Sequence, residues 1–355
     1  MRALPGAATA SIAVLVWGAP MAVASPASRA IDALNRQRAE HGIPGGIVED
    51  PRWSKGCRQH MAYLERNRLP LAHEQDSSLP GATPLGAEAG TSSVLGYGRF
   101  TRPDGNPWEN APIHLMQLLA PDLSVTGYAH GCMWTWPGYL RHPPPAPVLY
   151  SYPGEGATIY PAQVAREKPF VPGDFVGLPE GTRTGPHLYV LAAGTGVGEI
   201  VSATLSGPGG DVPVRVVDNS TPTVGRYLPA GGVLIPVRPL RSGSRYSVTV
   251  ELVDETGTIL SRVWSFRTYP RGSVNPRLRL RVGSRVVRVR SRSGARSRLT
   301  VRSLPSRRVV YRGAHRGPLA RSLRLHLPPG RYRACVRQAP NRLYARARAC
   351  SSTHR

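Results

Sequence analysis

The apolar residues change their spacing along this chain of 355 residues. Over the first 140 residues they recur with helical period. In "SRAIDALNRQRAEHGIP" Ile31 and Leu34 fall three apart, Ser28 is placed to cap, and Gly42 with Pro44 ends the helix. In "WSKGCRQHMAYLERN" Cys57, Met61 and Leu64 sit at i, i+4 and i+7, which makes one buried face. A third helix is expected near Ala111, with Pro112 at an early position where its missing N–H costs nothing. The stretch "RHPPPAPVLYSYPGEG" has no period and reads as an extended linker. The period then becomes two. "HLYVLAAG", "EIVSATLSG", "VPVRVVD", "GGVLIPVRPL", "RYSVTVELV" and "SRVWSFRT" are short runs divided by turn signals such as "GPGGD" and "ETGT", which predicts an all-β unit from about residue 145 to 270.

The last segment also alternates, with arginine on the polar positions. "RLRLRVGSRVVRVRSRS", "SRLTVRSLP", "RSLRLHLPPGRYRACVRQ" and "LYARARAC" place Leu, Val or Ala on one face and Arg on the other, as half-buried antiparallel strands do. Residues 271–355 hold 24 arginines and no Lys, Asp or Glu, so they supply almost the whole formal charge of +25. A break this sharp marks a boundary near residue 271 and predicts a folded, very basic β domain. Such a face concentrates positive potential, and arginine forks onto phosphate bidentately. The expected partner is an anionic cell-surface polymer or extracellular nucleic acid. Lys55 and Lys168 are the only lysines, so a compositional preference explains arginine over lysine. It does not explain why all 21 acidic residues precede residue 271.

The first 24 residues read as a signal peptide: Arg2, the apolar "AATASIAVLVWGAP", then Ala22-Val23-Ala24 as a cleavage site before Ser25. Gly18 and Pro20 interrupt the run, whereas a membrane span wants ~20 consecutive apolar residues, and no later segment is apolar enough. The expected location is extracellular, associated with the cell wall, with no transmembrane span after cleavage. Export makes the four cysteines candidates for disulfides. Four cysteines allow three pairings. Cys57–Cys132 with Cys335–Cys350 needs no link between distant regions, and zinc is the weaker use because no CxxC occurs.

Several short motifs occur in a telling order: "LNRQRAEHGIP", "CRQHMAYLERNRLPLAHEQ", "GAEAG", "WENAPIHLMQLLAP" and "SVTGYAHG". Together residues 26–141 resemble the CAP superfamily (cysteine-rich secretory proteins, antigen 5, pathogenesis-related 1) in its exported bacterial form. The resemblance implies an α-β-α sandwich with an open cleft where two histidines and one or two glutamates converge, holding a divalent metal in some members. Carried over, these are His73, Glu88 and His114, with His73 and His114 as metal ligands and zinc as the expected ion. The chain departs from the pattern at Ala87-Glu88-Ala89, where the family has Gly-Glu-Asn, and at Ala111, where eukaryotic members carry the second glutamate. Glu109, one residue after Trp108, would point elsewhere. His114 alone would read as a histidine packed on Trp108; His73 and Glu88 at matching positions favour a shared cleft. His60 is assigned to structure, and His41, His130 and His142 have no such context.

The segment "PLRSGSRYSVTVELVDETGTILSRVWSFRT" resembles the closing strands of fibronectin-type and immunoglobulin-like modules, with Tyr246 as corner tyrosine and Trp264 and Phe266 ending the last strand. The whole chain is thus expected to be α+β: a signal peptide (1–24), a CAP-like α-β-α sandwich (26–141), a Pro-rich linker and immunoglobulin-like β domain (142–270) and an arginine-rich β domain (271–355). Two functions are open. One is a non-enzymatic cleft taking a metal, lipid, peptide or other small ligand. The alternative is a metal-dependent hydrolase of peptide or ester bonds with Glu88 as general base. The lack of a His-Glu-x-x-His helix and of a nucleophile motif favours the first.

Overall fold

The computed structural model describes residues 25–97, 100, 106–139, 146–273, 278–282, 286–291, 296–315, 319–325, 328–339 and 344–354. The expected signal peptide and Pro143 to Pro145 lie outside the described residues. The described residues are mostly β, and the α-helices among them fall within the first 120 residues. None of the described helices is long and apolar enough to cross a membrane.

In the first region α1 (Pro26–Glu40) is capped by Ser25, whose hydroxyl accepts from the Ser28 N–H at 2.9 Å. Pro26 takes the first turn, where no N–H is needed, so the expected cap at Ser28 falls three residues late. β1 (Val48–Glu49) leads into α2 (Pro51–Arg66), capped by Asp50, and α3 (Pro84–Thr91) is capped by Thr83. β2 (Ser93–Leu95), α4 (Pro112–Leu119), β3 (Val125–Ala129) and β4 (Cys132–Trp134) follow. The strands form one sheet in the order β1-β3-β4-β2, with β1 parallel to β3. Alternate sheet residues enter two clusters. Leu95, Val125, Ala129, Cys132 and Trp134 join Trp53 and Cys57 of α2 and Ala89 of α3. Val94, Tyr128 and Met133 join the apolar residues of α1 and α4.

The middle region begins with β5 (Val148–Tyr152), β6 (Thr158–Ile159), β7 (Gln163–Val164), β8 (Arg183–Thr184) and β9 (Leu188–Ala193). It continues with β10 (Gly198–Gly207), β11 (Gly210–Asp211), β12 (Val214–Asp218), β13 (Gly231–Pro236), β14 (Arg245–Asp254) and β15 (Ile259–Thr268). Two sheets, β11-β10-β14-β15-β6 and β12-β13-β9-β5, enclose Val190, Leu234, Val248, Val250, Trp264 and Phe266. Every run with period two emerges as a strand. Tyr246 and Phe266 are cross-strand partners with stacked rings 5.6 Å apart, and the Tyr246 hydroxyl accepts from the Arg241 N–H at 2.7 Å. That backbone tether five residues upstream is what a corner tyrosine makes.

Two expectations fail here. Val148–Tyr152, read as linker, is a strand paired with β9. Its neighbouring prolines concealed a period of two in which Ser151 fills a buried position and bonds the Arg262 guanidinium. The domain cut at residue 141 also fails to separate two cores. Ile31, Leu34, Ile113 and Met116 share one apolar cluster with Tyr189, Leu191, Val217 and Val233 on the outer face of the β12-β13-β9-β5 sheet. That face is apolar because α1 and α4 cover it.

The last region folds as β16 (Arg279–Val282), β17 (Val286–Ser291), β18 (Ser297–Leu304), β19 (Val309–His315), β20 (Leu319–Arg324), β21 (Arg331–Gln338) and β22 (Ala347–His354). Its sheets, β16-β17-β20 and β19-β18-β21-β22, close over Val287, Val289, Leu299, Val301, Ala334 and Val336. The alternating arginines whose side chains are described face outward. Both expected disulfides form: Cys57–Cys132 ties α2 to β4, and Cys335–Cys350 joins the paired strands β21 and β22.

Candidate functional site

His73 lies on the loop between α2 and α3, and its place is set by a network around the buried His60. His60 Nε2 donates to Ala72 O at 2.8 Å, and its Nδ1 accepts from Gln75 Nε2 at 3.2 Å. Gln75 Oε1 in turn accepts from the N–H of Thr83, the cap of α3. Burial above all holds the His60 imidazole below its ordinary range, so it is a neutral strut, as the sequence indicated. The loop then delivers His73 to α3, where its Nδ1 donates to Gly90 O at 2.7 Å.

Gly90 itself is fixed by close packing. A Cβ there would stand 2.2 Å from His73 O and 2.4 Å from the His60 ring. The motif "GAEAG" therefore contributes its final glycine to the site, which the sequence reading passed over.

His114 sits in the first turn of α4. No side chain of its own segment caps that helix, because Ala111 occupies the cap position. The acceptor comes from the β region. Glu167, with a side chain only 1% exposed, accepts from Ile113 N at 3.0 Å, from His114 N at 2.9 Å and from His114 Nδ1. Its approach is guided by Gln163 Nε2 donating to Glu109 O at 2.9 Å and Arg166 N to Asn110 O at 2.7 Å. The negative carboxylate sits where the helix dipole and unpaired N–H groups favour an anion. Glu167 lies 53 residues from His114, so helix periodicity could not reveal it.

The two rings are brought together. His73 and His114 are nearly parallel, 16° between planes, with centroids 6.3 Å apart. Each has its Nδ1 committed to a fixed oxygen, and a neutral ring held in this way carries its lone pair on Nε2. Glu88 does not join them in any ligand cluster. Its carboxylate is half exposed and pairs with Arg52 on α2 at 3.4 Å. Trp108 is buried against Phe100.

A catalytic zinc site takes three protein ligands and a structural one four. No group of three or more His, Cys, Asp or Glu able to hold an ion occurs among the described residues. The donor set is two imidazoles, half a tetrahedral shell. It does not make a resident zinc centre, and no hydrolytic step through a metal follows from it.

No family model matches the chain, and no curated protein matches it. Among solved structures it is similar to a two-domain fibronectin type III segment of chicken tenascin, with 12% identity and a TM-score of 0.20, over 48% of this chain and 92% of that one. A β-glucuronidase of Parabacteroides merdae is similar at 10% identity and a TM-score of 0.20, over 61% of this chain and 26% of its own. The dimeric latent PorU of Porphyromonas gingivalis follows at 11% and 0.19, over 56% and 18%.

Proposed function

We propose that this chain is an exported, surface-associated binding protein, CAP-like in its first region, whose cleft uses His73 and His114 as a paired recognition element without catalysing a reaction. The observation that carries this reading is the parallel pair itself, with each Nδ1 engaged by a fixed oxygen. Two disulfides suit an oxidising compartment. Glu88, paired with Arg52, has no role as general base in this reading. A divalent ion would be offered two imidazoles and would complete its shell with water or ligand, so binding is weak and open.

Calorimetry of the full chain with zinc tests it, beside a screen against peptides and esters with and without the metal. The expected result is weak uptake at one site, lost in the His73→Ala, His114→Ala double variant, and no turnover. Metal-dependent turnover abolished by Glu88→Gln overturns the binding reading in favour of the hydrolase. Undiminished zinc uptake by the double variant returns both histidines to structural status.

A further inference from the structure

The outer face of the β19-β18-β21-β22 sheet carries arginines in cross-strand register. Arg298 on β18 stands opposite Arg337 on β21, which stands opposite Arg348 on β22. Four residues along, Arg302 stands opposite Arg333, and Arg312 on β19 pairs with Thr300 between the two rows. With Arg307 from the β18–β19 turn, these exposed side chains line one open groove of about 980 Å³.

Like charges directly opposite one another destabilise a ladder. No Asp or Glu follows residue 271 to relieve them, and the ion pairs among the described residues all lie before residue 181. The Cys335–Cys350 bridge, Cα atoms 4.1 Å apart, lies two residues from the Arg337–Arg348 pair. It holds together the two strands that those charges push apart. A face that is costly when empty and stapled covalently is built to be neutralised by an anion from outside the chain.

We propose that this groove binds a flexible phosphodiester polymer that carries no bases, a polyol phosphate chain. Arginines in neighbouring strands stand ~4.8 Å apart and the two rows ~13 Å apart along the strands, so one chain meets guanidiniums repeatedly as it crosses the sheet. Each guanidinium grips a phosphate through two parallel N–H···O bonds. Single-stranded nucleic acid is disfavoured because no aromatic side chain is among the described lining residues, and such grooves hold bases by stacking. Duplex DNA is disfavoured by width: four strands span ~14 Å of backbone. The major groove, ~12 Å wide, takes a helix or a two-stranded ribbon. The inference is independent of the histidine cleft.

The test uses the full chain with disulfides intact and three probes followed by fluorescence anisotropy across a salt series: poly(glycerol phosphate), a single-stranded oligodeoxynucleotide of equal charge and a duplex of equal charge. Arg298→Gln/Arg337→Gln/Arg348→Gln empties one row. Arg279→Gln/Arg281→Gln/Arg288→Gln removes the same charge from exposed positions on the β16-β17-β20 sheet. The groove variant is expected to bind poly(glycerol phosphate) at least about tenfold more weakly and to lower the salt slope by about 2, as three lost phosphate contacts require. The control variant should stay within roughly threefold of the parent, since its charges make no phosphate contact. Because the groove variant relieves repulsion on an exposed face, it should melt no lower than the parent. Should it melt lower, Arg298→Lys/Arg337→Lys/Arg348→Lys keeps the charge, and it is expected to bind more weakly because the fork is gone. Equal losses from the groove and control variants would reduce the effect to net charge and overturn the site. Tighter binding of either nucleic acid than of poly(glycerol phosphate) overturns the polymer assignment.

Discussion

Glu167 holds His114 from outside the helix that carries it. The carboxylate accepts both free N–H groups at the start of α4 and the ring N–H of the histidine, and its side chain is almost wholly buried in doing so. Helix capping and histidine orientation are thereby one interaction, supplied by the β region.

Replacing Glu167 tests that coupling. Glu167→Ala leaves two buried N–H groups without an acceptor and should cost about 2–4 kcal/mol. Glu167→Gln keeps an oxygen for the backbone but gives up the charge, and should cost less, about 1–2 kcal/mol. Denaturant unfolding gives these values. NMR of the His114 ring should show the tautomer preference lost in both variants; an unchanged ring signal in Glu167→Ala would refute the claim that the carboxylate orients it.

The opposite end of α4 makes a matching prediction. Arg38 is fully buried on α1, and its guanidinium donates to Leu118 O, Ala120 O, Pro121 O and Pro44 O at 2.7–3.1 Å. Burial lowers its pKa to about 10 against the support of Tyr139 and Asp122, so it stays charged at neutral pH and complements the negative helix end. Arg38→Met strands three carbonyls of the helix end and should cost about 3–5 kcal/mol by chemical denaturation. Arg38→Lys should recover less than half of that, because an ammonium lacks the planar fork that reaches four carbonyls.

These two contacts also show where sequence stops being informative. Strand periodicity is local, so β9, β10, β13, β14 and β15 could be read directly, as could the alternating arginine strands. Short motifs picked out His73 and His114, and in the structure their rings stand nearly parallel, 6.3 Å apart. Glu88 was picked out only as a motif position, and its half-exposed carboxylate pairs with Arg52 on α2. Glu167 and Arg38 escaped because each acts through space on backbone atoms far along the chain, which leaves no periodic trace. The strand at Val148–Tyr152 escaped because proline and serine masked its alternation.

Gly90 provides a prediction for the seat of His73. A β-carbon at this position would collide with both His73 O and the His60 ring, and the Gly90 carbonyl receives the His73 ring N–H. Gly90→Ala must displace the His73 loop, at an overpacking cost of about 1–3 kcal/mol. The expected signature is a larger shift of the His73 and His60 ring resonances than of any others, with the Cys57–Cys132 disulfide retained. Unmoved His73 resonances would show that the loop is not seated on Gly90.

The joint between the helical and β regions should weaken in mild acid, and His41 is the reason. At the end of α1 its ring packs edge-on against Tyr152, centroids 4.4 Å apart, and its Nδ1 accepts from the Gly154 N–H at 3.1 Å. Burial lowers its pKa from 6.5 to about 4. The unfolded chain therefore binds a proton that the folded chain refuses throughout that interval. The stability contribution is complete above pH 6.5, shrinks as pH falls toward 4, and changes no further below it. The full excursion corresponds to roughly 3 kcal/mol. His187, fully enclosed in the β region and likewise lowered to about 4, adds loss in the same window. Glu255 acts lower: hydrogen bonds from Gly196 N–H and the Thr195 hydroxyl hold its pKa near 2, so its contribution fades only below pH 4.5. Urea unfolding at pH 7.5, 6, 5 and 4.5 separates the two. The parent should lose stability steeply from pH 6.5 downward. His41→Asn keeps an acceptor for Gly154 without a titrating ring, so it should be less stable at pH 7.5 yet lose roughly 2–3 kcal/mol less across the window. Parallel curves for parent and variant would assign the acid sensitivity elsewhere and leave His41 as a packing residue only.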